Sequence, residues 1–220
     1  YIHDPELIEY ATYREIRELT YAGFTVFHDE ALMPAFKAQI PVIIKNTNNP
    51  ECQGTLIKKS FENVSRNEVV GVASDGGFCG ITVGKYLLSR EGGIVRRILQ
   101  ILEDLNICFE HMPSGIDDIS IILRERQLTR DIEAELMKQI EEKIQPDQLS
   151  IEHGLSVVAL VGEGMRERPG TTSDSTAALA RKNVNLRMIS QGADERSIIF
   201  AIRSEQERLA VRSLYYTFFD

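Results

Sequence analysis

Asn106-Ile-Cys-Phe-Glu-His-Met-Pro-Ser-Gly-Ile-Asp-Asp-Ile-Ser-Ile-Ile-Leu-Arg124 and Asn185-Leu-Arg-Met-Ile-Ser-Gln-Gly-Ala-Asp-Glu-Arg-Ser-Ile-Ile-Phe-Ala-Ile-Arg203 are one pattern written twice. Both run from Asn to Arg over the same length. Each holds a strand, an acidic Gly-containing turn and a second, apolar strand, which is a hairpin signature. Its recurrence marks an internal repeat.

The flanks repeat as well. Before the first hairpin come Val69-Val-Gly-Val-Ala73, a strand, and a helix from Gly93, with Ile94, Ile98, Ile101, Leu102 and Leu105 on one face. Before the second come Val157-Val-Ala-Leu-Val161 and a helix through Ala177, Ala178, Ala180 and Val184. After the first, Ile132, Leu136, Ile140 and Ile144 recur every fourth residue; after the second, a helix runs from Glu205 to about Tyr216. Leu149–His153 and Tyr216–Phe219 are the expected last strands of the two halves. Each half therefore reads β-α-β-β-α-β, which folds as a four-stranded antiparallel sheet with two helices on one face.

Residues 1–60 alternate helix and strand in an α/β manner. Thr12-Tyr-Arg-Glu15 is a capping box, with Gly23 a helix stop. Phe24–Phe27 predicts a short strand, Glu30–Ala38 a helix with Pro34 near its start, and Pro41–Lys45 a buried strand. The expected fold class is thus α+β: two ferredoxin-like βαββαβ domains, residues 61–153 and 154–220, preceded by an α/β remnant, residues 1–60. The chain begins at Tyr1 rather than Met, and a piece of a longer protein is expected.

The 220 residues carry a formal charge of −8, with 43% hydrophobic and 26% charged residues. An acidic chain repels phosphate backbones, which argues against nucleic acid as a partner. The same topology serves RNA-binding modules, but those stack bases on aromatics of the central strands. Here Ile119–Leu123 and Ile198–Ile202 hold one aromatic residue, Phe200. No apolar run is long enough to span a bilayer. Cys52, Cys79 and Cys108 stand far apart with no CxxC, as expected for reduced thiols in a cytoplasmic protein. His3, His28, His111 and His153 show no metal-ligand spacing, so no metal is expected.

With these residues in view, the chain resembles the aspartokinase family along essentially its whole length. Tyr13–Ala31 is similar to the last helix-strand-helix of an aspartokinase catalytic domain, and Pro41 to Ile57 to its closing strand and exit. Phe109–Asp118 resembles the second strand and turn of the first ACT domain, and Ser156–Gly162 the opening of the second. His28-Asp29-Glu30 departs from the family's His-Pro with a following basic residue. The resemblance implies an amino-acid kinase parent that phosphorylates aspartate with ATP and Mg. Nothing here matches its Lys-Phe-Gly-Gly-type phosphate loop. Gly162-Glu-Gly164 lacks the Lys-Ser/Thr of a phosphate cradle. This chain alone is expected to be inactive and to need no cofactor. The resemblance also implies feedback control by lysine, threonine or both, and a homodimer through the ACT domains.

A free amino acid offers a carboxylate and an ammonium. Helix N-termini suit the carboxylate, and acidic side chains suit the ammonium. The first repeat offers both: Gly92, Gly93, Ile94 and Val95 open its first helix, Glu110 and Met112 follow on the adjoining strand, and Ser114, Gly115, Asp117 and Asp118 form the turn. An extra carboxylate would hold a second ammonium, which favours lysine. Plainer readings stand beside these: Asp117 and Asp118 as solvated turn residues, Gly92-Gly93 as a helix entry, and Glu110 on the solvent face. In the second repeat, Gly170–Asp174 is an anion site or an ordinary cap, with Asp194 and Glu195 nearby; a mainly structural role is expected there. The competing function is a dimerisation module that binds nothing. A kinase fused to homoserine dehydrogenase is disfavoured because no GxGxxG appears.

Overall fold

Both hairpins form in the computed structural model, which describes residues 1–25, 29–61, 67–166 and 168–219. In chain order the elements are β1 (Tyr10–Thr12), α1 (Tyr13–Tyr21), a 3-10 turn (Asp29–Leu32), α2 (Met33–Ala38), β2 (Val42–Ile44), β3 (Thr55–Lys58), β4 (Gly71–Gly84), α3 (Ile94–Asp104), β5 (Phe109–His111) and β6 (Asp118–Arg124). There follow α4 (Arg130–Ile144), β7 (Gln148–Val161), α5 (Thr171–Arg181), β8 (Met188–Gln191), β9 (Ser197–Arg203) and α6 (Glu207–Phe218). Phe24–Phe27 and the His28-Asp29-Glu30 departure fall wholly or partly outside the described residues.

The chain divides into two compact units. One is Gly76–Ser156; the other joins Tyr1–Asp75 to Val157–Asp220. The strands β4 and β7 each contribute one part to either unit. This division differs from the three consecutive segments expected from the sequence, because the first repeat is an insertion between two pieces of the other unit.

Within the unit 76–156 the strand order is β5-β6-β4-β7. Antiparallel pairing sets Ile81 opposite Ile121 and Val83 opposite Ile119. Alternation then sends Cys79, Ile81, Val83, Ile119, Ile121 and Leu123 to one face, where they pack with Ile94, Ile98 and Ile101 of α3 and Leu136, Ile140 and Ile144 of α4. Helix α4 starts at Thr129, whose hydroxyl accepts from Ile132 N–H at 3.3 Å. Burial of this aliphatic layer is the main stabilising term of the unit.

The other unit contains a second such layer. Its strand order is β4-β7-β9-β8, with α5 and α6 covering Val158, Leu160, Ile198, Phe200 and Ile202. Residues 71–75 of β4 supply the fourth strand, and Val70 N–H donates to Val161 O at 2.7 Å. The strand expected at Tyr216–Phe219 is corrected here: α6 runs through to Phe218. Ala210, Val211 and Leu214 are buried at helical spacing, and Tyr215 stacks on Phe219 one turn later with ring centroids 4.8 Å apart. The aromatic run is therefore a helix face.

The same unit holds a three-stranded sheet in the order β1-β3-β2, with β1 parallel and β2 antiparallel to β3. The capping box forms as read: Glu15 N–H donates to Thr12 Oγ1 at 3.1 Å, and Thr12 N–H donates to Glu15 Oε2 at 2.7 Å. Helix α1 buries Tyr13, Ile16 and Leu19. Among the described residues, no helix is long and apolar enough to cross a membrane.

Candidate functional site

The loop from β4 to α3 and the turn between β5 and β6 are stitched together in the unit 76–156. Lys85 N–H donates to Asp117 O at 2.8 Å, and Ser89 N–H donates to Ile116 O at 3.1 Å. The Asp117 carboxylate accepts from Leu87 N–H at 2.9 Å, and Asp147 accepts from Tyr86 N–H at 2.7 Å. These bonds hold Leu87 at φ 61, a left-handed conformation uncommon for a side chain of this size. The turn closes on itself through Gly115 N–H to Asp118 O at 2.8 Å and the bridge of Ser114 with Ile119. A Cβ at Gly115 would meet the exposed Asp118 carboxylate, which would have to swing aside.

Gly93 caps α3 at φ 78 with no side-chain hydrogen bond, and open space surrounds the place where a Cβ would lie. Ile94 turns into the core, and Val95 is exposed. Among the described residues, the Val95 and Arg96 N–H groups have no partner, so the first turn of α3 presents donors and the positive end of the helix to whatever lies in front of it. Glu91, just upstream, bonds Lys85 at 2.7 Å and Arg97. Those two hydrogen-bonded cations hold its carboxyl below the usual range. Lys85 also donates to Ile144 O at 2.7 Å, fixing the loop to the end of α4.

The structure thus brings Gly93, Ile94 and Val95 onto one loop-and-helix start, and ties that loop to Ser114, Gly115, Asp117 and Asp118. Asp118 is exposed at the start of β6, opposite Gly84. Glu110 is engaged elsewhere: its Oε1 lies 3.2 Å from Arg124 Nε, and the Arg124 guanidinium stacks 4.0 Å over the Phe78 ring. A register shift between Phe109 and His111 accompanies this placement. Met112 packs against the aliphatic core. The sequence reading missed Lys85, Glu91, Arg97 and Asp147. Glu91 beside Gly92-Gly93 was a weak local signal; the others act across long separations.

Two further groups in this unit have shifted acidities. Burial lowers the His111 pKa against the raising effect of Glu110. Burial, with Glu125 and Glu133 nearby, pushes the Cys79 thiol up to about 12.

In the other unit, α5 is also capped by a glycine, Gly170 at φ 110, rather than by a hydroxyl. Thr172 Oγ1 lies 3.3 Å from Gln191 Oε1, and Asp194 is paired with Arg196 at 2.5 Å. Asp174 N–H closes the first helical turn onto Gly170 O at 2.9 Å. Among the described residues, no cluster of His, Cys, Asp or Glu could hold a metal ion.

Residues 158–218 match a family model described as an ACT domain. The chain is 50% identical to Aspartokinase 3 of Bacillus subtilis over 219 residues, covering 100% of this chain and 48% of that protein. Aspartate kinase of Clostridium acetobutylicum superposes with a TM-score of 0.92 at 37% identity, covering 99% of this chain and 50% of the other. Aspartokinase III of Escherichia coli in complex with lysine and aspartate has a TM-score of 0.75 at 23% identity, covering 98% and 47%, a likeness of fold. The chain spans about half the length, or less, of curated relatives that it matches. With half its residues identical to an aspartokinase from one end to the other, the chain is a homologue of part of an aspartokinase.

Proposed function

We propose that this chain is the regulatory portion of an aspartate kinase, and that the unit 76–156 binds an amino-acid effector, lysine first and threonine second. The observation that carries the reading is the glycine-started α3, whose Val95 and Arg96 N–H groups have no partner among the described residues while its entry loop is latched to the acidic turn 114–118. The effector carboxylate sits on the N–H groups after Gly93, with Val95 beside it. Ser114 and Gly115 shape the turn, Asp117 holds the loop, and Asp118 takes the α-ammonium. Glu110 serves a second ammonium when it leaves Arg124, and Ile94 and Met112 set the floor from the core side. The lysine complex of the Escherichia coli relative supports lysine as the effector.

The controlled reaction is phosphorylation of L-aspartate by ATP with Mg, carried out in a kinase core in the cytoplasm. The effector acts by binding one arrangement of the regulatory units better than another, which shifts the population. A homodimer through the ACT-type units completes the assembly.

Isothermal titration of this chain with lysine, and with threonine for comparison, tests the reading. Saturable lysine binding that weakens at least tenfold in Asp118→Asn is the expected result. Absence of binding for both amino acids would favour the second reading, a dimerisation module without ligand. That alternative has its own observation: Tyr86 and Ile116, each 76% exposed, stand with Leu87 at the stitched end of the unit.

A further inference from the structure

Glu15 is fully buried. Its carboxylate performs two tasks at the start of α1. Oε2 accepts from Thr12 N–H at 2.7 Å, closing the capping box. Oε1 accepts from Glu163 N–H at 2.8 Å, a residue 148 positions away. A capping box requires the first bond and gives no reason for the second.

Glu163 lies in the segment that leads from β7 to α5. That segment is the counterpart of residues 85–93, which lead from β4 to α3. In the unit 76–156 the corresponding backbone donors are satisfied by carboxylates of the same unit, Asp117 and Asp147. Here the carboxylate comes from the α/β segment. The turn is built to stay in place: Gly162 N–H donates to Arg196 O at 2.9 Å, and a Cβ at Gly162 or Gly164 would overlap the backbone at Glu68. One turn further along α1, Glu18 Oε2 accepts from Ser197 Oγ at 3.0 Å, adding a second tie to the start of β9.

We propose that Glu15 is an internal ligand of this helix-entry loop, and that through it α1 follows the position of the ACT-type layer formed by residues 157–220. The inference rests on the regulatory reading for its functional meaning. A carboxylate is required because both partners are donors. A glutamine presents one acceptor oxygen, and its amide nitrogen would face an N–H group. An aspartate is one methylene too short to reach both.

The bond can be broken from either side. Glu15→Gln keeps the volume and loses one acceptor. Glu163→Pro removes the donor and leaves Glu15 and its capping box intact. Proline suits this first position of a 3-10 turn, after an extended Gly162 at φ 171, ψ 130. In the full-length kinase that carries this chain, lysine affinity by calorimetry and lysine inhibition of kinase activity are measured together for wild type and both variants. The expected result is lysine affinity within twofold of wild type, retained basal activity, and a residual activity at saturating lysine raised at least fivefold. In the same variants, amide hydrogen exchange across α1 is expected to accelerate at least tenfold, with exchange across α3 unchanged. Inhibition curves that superimpose on wild type in both variants would overturn the proposal and leave the regulatory reading standing. If wild type neither binds lysine nor responds to it, the regulatory reading fails, and exchange alone decides: unchanged α1 amides in Glu163→Pro overturn the tie, and accelerated ones support it.

Discussion

At the scale of single residues, His111 has a definite consequence for pH. Burial lowers its folded-state pKa below the ordinary value of 6.5. Below that value the unfolded chain binds the proton more readily than the folded one. The stability tied to a neutral His111 is therefore complete above about pH 6.5 and declines as the pH falls toward the folded-state pKa. Urea unfolding at pH 7.5 and pH 5.5 should show wild type losing more stability on acidification than His111→Gln. Equal losses would mean that the half-buried imidazole is not the titrating group. Residue-level roles were legible where they depend on near neighbours. Thr12 and Glu15 declared their capping box, because both partners lie within one turn. Glu110 did not declare Arg124, because strict alternation on β5 was broken by the register shift. Nor did Glu15 declare Glu163, since nothing local links them.

At the scale of elements, the start of α3 separates backbone strain from packing. Gly93 holds φ 78 with nothing near its missing Cβ, so a side chain there meets no obstacle but the backbone conformation itself. Gly93→Ala is expected to lower stability by about 1 kcal/mol. Gly93→Asn should cost less, because Asn tolerates the left-handed region. Chemical denaturation of the three proteins checks the order glycine, asparagine, alanine. An alanine variant as stable as wild type would show that the helix entry relaxes to negative φ. The helices themselves were legible because their apolar periods are long: Ile94, Ile98, Ile101 and Leu102 repeat over more than two turns, as do Leu136, Ile140 and Ile144. Tyr216–Phe219 was misread because four aromatic-rich residues carry no decisive period. Its helical register shows in the buried Ala210, Val211 and Leu214 that precede it.

At the scale of the whole molecule, the two hairpins implied two similar units but not how the chain is shared between them. A β-α-β-β-α-β template demands a fourth strand, and a reading that moves along the chain seeks it after the second helix. The structure takes it from residues 71–75, far upstream, beside the fully buried run Val158–Val161. The difference has a physical cost that can be measured. Residues 76–156 hold their own aliphatic core, and the two ends of the segment lie on neighbouring strands, β4 and β7. Excised, this segment is expected to fold and to unfold in a single cooperative transition. Residues 157–220 alone lack the strand that covers the edge of Val158–Val161 and lack Val69, a core residue. They should aggregate or remain unfolded. Joining residues 67–75 to them through a flexible linker should restore a cooperative transition, because it supplies both the missing edge and the missing core side chain. Circular dichroism with thermal unfolding of the three polypeptides distinguishes the cases. A cooperative 157–220 without the added strand would mean that the sheet closes by another route, and that the upstream strand contributes position rather than stability.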